Sequence, residues 1–135
     1  FNLAFEINSL LLFCFFFGCK QNSIKNNKNI SQELLNIFIN DLDHSFRTKG
    51  IGDMSIGKYV KKTVKKFYFR VKKLDVIFQN NNIEEFYDYL HNLNLLNKSV
   101  SNDKNINYLF ENCKELIVRL RKSEINKSIL YKLFI

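Results

Sequence analysis

Apolar side chains recur at intervals of three and four along most of the chain, the period of helices packed by one face. Leu35, Phe38, Ile39, Leu42 and Phe46 share such a face, which predicts a helix over about 31–49. Ser31 is placed as its N-cap, Glu33 lies in its first turn and Lys49-Gly50 closes it. Val60, Val64, Phe67, Val71, Leu74 and Phe78 step by 4, 3, 4, 3 and 4, a heptad seam. They predict a second helix over about 56–79, capped by Ser55 and broken by Asn80-Asn81-Asn82. Ile83, Phe86, Tyr87, Leu90, Leu93 and Leu96 predict a third over about 83–97, with a turn at 97–102. Ile106, Phe110, Cys113, Ile117 and Leu120 predict a fourth, starting near Asp103. Ser123 is placed to cap a short fifth helix with Ile125, Ile129, Leu130 and Leu133 inward, unless the fourth runs on unbroken. The expected fold is all-α, an antiparallel bundle of four or five helices over residues 31–135.

Composition agrees with a single domain: 135 residues, 46% hydrophobic and 25% charged. The absence of Pro and the presence of only four Gly leave little turn chemistry for a many-stranded β fold. Three of those glycines fall in Gly50–Gly57. No strand precedes that segment and no Gly-Lys-Ser/Thr follows it, so it is an interhelical connection and not a phosphate loop. A single Ala among many Asn, Lys, Ile and Phe reflects AT-rich coding, which lowers the weight of any individual Asn or Lys.

The N-terminal segment follows a different pattern. Leu10 to Phe17 is an uninterrupted apolar run, followed by Gly18, Cys19 and the polar stretch Lys20–Asn29. Eight residues fall far short of the ~20 that cross a ~30 Å hydrocarbon core, and extension toward Phe1 admits Asn2, Glu6, Asn8 and Ser9. A signal-peptide core ending at a small residue fits better. Phe15–Cys19 resembles the lipobox of bacterial lipoproteins, with Gly18 before the cut and Cys19 as the lipidated residue. Phe16 and Phe17 stand where Leu and a small residue are usual, as in the loose lipoboxes of spirochaetes. The basic start of a leader is missing and the chain opens on Phe, which suggests a truncated or mis-started reading frame. The resemblance implies residues 1–18 as a signal peptide and a diacylglyceryl thioether on Cys19, with 19–30 as a tether. Two acyl chains, at roughly 0.8 kcal/mol per buried CH₂, would hold a protein on a membrane without a spanning helix. Cys14 would leave with the leader, and Cys113 would be a buried, inert thiol on a helix stripe.

Lipobox, tether, coding bias and small helical domain together resemble the plasmid-encoded lipoproteins of Borrelia, either the small orf-D type or the larger helical surface families. That resemblance implies a non-enzymatic lipoprotein of the outer surface or periplasm that binds a host molecule. Two other readings stay open. One is a cytoplasmic nucleic-acid-binding helical protein whose apolar N-terminus is core. The other is a helical structural or assembly subunit whose second helix pairs with an acidic partner.

The net charge of +8 is concentrated on the second predicted helix. Lys58, Lys61, Lys62, Lys65, Lys66, Arg70, Lys72 and Lys73 avoid most of the seam and are opposed only by Asp75. Neighbouring lysines repel one another, so a polyanion would relieve the face; a Lys-rich proteome producing an ordinary solvated face is the plainer alternative. Lys in place of Arg speaks against bidentate recognition of phosphate or bases. No cofactor or metal site is expected: His44 and His91 lack the i,i+4 partner of a zinc helix, and no nucleophile motif accompanies them. Glu84, Glu85 and Asp88 sit at a helix start, where the dipole favours them.

Overall fold

A helix that is apolar on most of its circumference must be largely covered to be stable in water, and this chain has one. In the computed structural model, which describes residues 2–20, 27–93 and 103–122, it is α1 (Asn2–Lys20). Around it stand α2 (Asn27–Thr48), α3 (Asp53–Gln79), α4 (Ile83–Asn92) and α5 (Asp103–Lys122). Every regular element among the described residues is a helix, and the fold is an all-α bundle. By length and composition Leu3–Lys20 would suffice to cross a membrane, but most of it is buried by the other helices.

α1 divides the interior into two clusters. Phe5, Leu12, Phe15 and Cys19 face Leu34, Phe38, Leu42 and Phe46 of α2 and Phe67 of α3. Leu10, Phe13, Cys14 and Phe17 face Leu74 and Phe78 of α3, Phe86 of α4, and Phe110, Cys113 and Ile117 of α5. Rings dominate both sides. Phe38 lies 4.9 Å from Phe67, Phe13 lies 5.2 Å from Phe78, and Phe78 lies 4.9 Å from Phe110, between centroids. Such pairs add about 0.5–1.5 kcal/mol each beyond their burial. Ser9, the fully buried hydroxyl of α1, donates to the Phe5 carbonyl at 2.8 Å and so needs no outside partner.

Gly18 has a packing role. A Cβ there would lie 2.8 Å from Leu120 Cβ and 3.2 Å from the Ile117 carbonyl oxygen. The missing side chain is what lets α1 and α5 approach so closely. Gly18→Ala is therefore expected to lower stability by about 1–3 kcal/mol in urea melts, although the same change in an open helix would raise it by about 1. A lipobox accepts Ala at that position, so the measurement separates packing from processing.

The connections follow local chemistry. α2 ends where Gly50 takes φ 92°, with Gly50 N–H donating to the Arg47 carbonyl and Ile51 N–H to the Phe46 carbonyl. Only two residues then precede α3, which begins three residues earlier than its period suggests and carries Gly57 inside it. Gly52, not Ser55, is its N-cap. At the triple asparagine, Asn81 adopts φ 50° and the Asn82 side chain accepts from the backbone N–H of Glu84 and Glu85. Lys114 donates to Asn81 Oδ1 at 3.1 Å, tying α5 to this corner. α2 starts at Asn27, inside the stretch expected to be a tether. α4 ends at Asn92 with Leu93 as its C-cap, short of the 97 expected, and the turn expected at 97–102 and the fifth helix after Ser123 lie outside the described residues.

Candidate interaction surfaces

The seam of α3 faces inward, with Phe67 and Leu74 fully buried, and this turns its other side to solvent. Lys58, Lys61, Lys62, Lys65, Lys66, Lys72 and Lys73 are all exposed there. Arg70 departs from the expected patch. Its Nε lies 3.2 Å from Oε2 and 3.3 Å from Oε1 of Glu6, and its Nη2 lies 3.2 Å from Oε1. Glu6 is buried on α1, so this cation is engaged in holding α1 to α3. Two lysines also cover rings, Lys66 at 5.2 Å from the Phe5 centroid and Lys73 at 4.9 Å from that of Phe69. Apolar groups stand among the cations: Met54 is fully exposed and Tyr68, Phe69 and Val76 about half so.

Two of the hollows that border α4 adjoin the exposed apolar groups. One, of about 490 Å³, lies between α3 and α4, with Lys72 and Lys73 on one wall, Glu85 and Asp88 on the other and Phe69 and Val76 among its apolar surface. The other, of about 210 Å³, is nearly all apolar and opens between Leu3, Ile7 and Leu10 of α1, Leu90 near the end of α4 and Leu109 of α5. Leu3, Ile7 and Leu11 form an i, i+4, i+8 stripe exposed beside it. Tyr89 separates the hollows. Its buried hydroxyl has no hydrogen-bond partner among the described residues, and burial together with the Glu6 charge pushes its pKa well above the usual phenol range.

No group of three or more His, Cys, Asp or Glu side chains suited to a metal occurs among the described residues. His44 lies exposed on α2, and the His91 ring packs 4.2 Å from Tyr87. The three cysteines are buried. A hydrogen bond joins the thiols of Cys14 and Cys113 across α1 and α5, and with burial it holds Cys14 far above its ordinary value. Cys19, the expected site of lipidation, is a fully buried residue of the α1–α2–α3 cluster, and burial pushes its thiol up to about 11. A thiol raised in the fold contributes stability that is fully present below its ordinary 9.0 and is lost as pH rises from there through about 11. Thermal melts across that window are expected to show a falling midpoint, with a shallower fall in Cys19→Ala.

Comparison with known proteins changes the functional picture. The model of a family described as ubiquinol-cytochrome C chaperone matches residues 1–112. No curated protein and no solved structure matches the chain. The match overturns the resemblance to Borrelia lipoproteins, and with it the lipoprotein function, the outer-surface location and the host or polyanionic partner. It begins within the very segment that was expected to be discarded, and α1 is correspondingly a core helix. Of the readings open from sequence, the helical assembly subunit is the one it favours. Matched over most of its length, the chain belongs to the ubiquinol-cytochrome C chaperone family.

Proposed function

We propose that this protein is an assembly chaperone for ubiquinol–cytochrome c reductase, and that it acts by reversible, non-covalent binding and not by catalysis. The observation that carries the reading is the family match over 1–112, which takes in α1 to α4 and the first half of α5. The exposed stripe Leu3, Ile7 and Leu11, beside the apolar hollow at Leu109, supports it, because contiguous apolar surface on a small domain commonly marks a protein contact. A subunit awaiting its partners exposes surface of the same kind. Depleting the protein in its source cell is expected to reduce assembled ubiquinol–cytochrome c reductase on native gels several-fold while other respiratory complexes persist. A photo-crosslinker replacing Ile7 is expected to trap a subunit of that reductase. Normal reductase levels after depletion would remove the proposal.

A further inference from the structure

The buried seam of α3 has a counterpart on its outer side. Lys58, Lys62, Lys65, Phe69, Lys72 and Val76 repeat the seam's 4, 3, 4, 3, 4 steps, each two residues before a seam position and so about 200° around the helix. Met54 extends the line by one more step of four. All seven are exposed, Met54 completely. The result is a ridge about 33 Å long that carries four cations, with apolar tips at its two ends and at Phe69 between Lys65 and Lys72. Lys61, Lys66, Lys73 and Tyr68 flank it, all exposed. The two carboxylates of α3 are occupied elsewhere: Asp53 pairs with Arg47, and Asp75 accepts from Gln79.

We infer that this ridge is a docking surface for an anionic phospholipid bilayer, with the lysine ammoniums at the phosphates and Met54, Phe69 and Val76 entering the headgroup boundary. Charge complementarity selects an anionic partner, and the apolar tips select among anionic partners. Lysine stems run along apolar material while their heads stay at the charged layer, which suits an interface where the two environments lie side by side. A nucleic acid would use the ridge less well. Met54 and Val76 offer nothing to bases, and lysine lacks the fork of arginine. The inference rests on α3 alone and does not depend on which client the protein serves.

The full chain is incubated with unilamellar vesicles of phosphatidylcholine alone and of phosphatidylcholine with equimolar phosphatidylglycerol, and bound protein is measured by sedimentation. Binding only to the anionic vesicles is expected. Each lysine at such a surface is worth roughly fivefold in affinity, so Lys58→Glu, Lys62→Glu, Lys65→Glu and Lys72→Glu together should weaken binding at least a hundredfold. Met54→Ser, Phe69→Ser and Val76→Ser, with every lysine retained, should weaken it about tenfold and leave a residue of binding that salt abolishes. All seven positions are exposed, so helix content by circular dichroism should match that of the parent in both variants. A Phe69→Trp probe should shift to the blue on anionic vesicles. Unchanged binding in either variant, or tighter binding to single-stranded polyuridylate than to vesicles with the serine variant unimpaired, would overturn the inference.

Discussion

A chain that starts at Cys19 is expected not to fold. Truncation before that residue removes Phe5, Leu10, Leu12, Phe13, Phe15 and Phe17, all buried and divided between the two core clusters. Emptying one such phenylalanine site costs about 3–5 kcal/mol, and several together exceed the ~5–15 kcal/mol that holds a typical domain. The remaining helices would face one another across the space that α1 occupied, with their apolar stripes open to water. Circular dichroism of the truncated protein should show much reduced helix and no cooperative melt, and the protein should aggregate or bind hydrophobic dyes. A cooperative, parent-like transition would mean that α1 is dispensable to the domain, and the architecture described above would be wrong.

Arg70→Leu is expected to destabilise the fold by about 3–5 kcal/mol, because it strands the Glu6 carboxylate in a buried position with no cation. Glu6 is 7% and Arg70 18% exposed at their side chains, so little water can take over the missing role. The double change Glu6→Leu with Arg70→Leu should recover most of the loss and fall within about 1–2 kcal/mol of the parent, since an apolar pair of similar shape carries no stranded charge. Urea denaturation of the parent, both single variants and the double variant gives the coupling directly. Additive effects would mean that the two residues are not partners. Tyr89 enters the same accounting: its unpartnered hydroxyl lies close enough to feel both charges.

The helices were legible because their apolar faces keep a period. The seam of α3, the stripe of α5 from Ile106 to Leu120 and the break at Asn80-Asn81-Asn82 are recovered almost residue for residue. α1 was not legible for the opposite reason. Phe13 and Phe15 point into different clusters, so the helix is apolar on most of its circumference and shows no preferred face. A leader has the same pattern, and only neighbours distinguish the two. Gly18 and Cys19 then looked like a processing site, when Gly18 is small because Leu120 passes within contact of it. Glu6 was the available clue. An acid four residues before the apolar run suits neither a leader nor a span, but its partner lies 64 residues away and no local pattern joins them. Arg70 was assigned to the cationic face for the same reason. The lysines of α3 needed no such information, because their exposure follows from the seam they avoid. The α3 start was misplaced because Ser55 is the better cap by residue type, while Gly52 occupies the position where the chain turns after Ile51.

The close passage of Gly18 against Leu120 bears on how the molecule is made. These residues leave the ribosome about a hundred positions apart, so this close interhelical seat forms only after a long loop closes. Until α5 emerges, Phe13, Cys14 and Phe17 of nascent α1 lack the cover that Phe110, Cys113 and Ile117 later give them. Synthesis thus runs well ahead of folding, and a member of a chaperone family passes through an unguarded interval of its own.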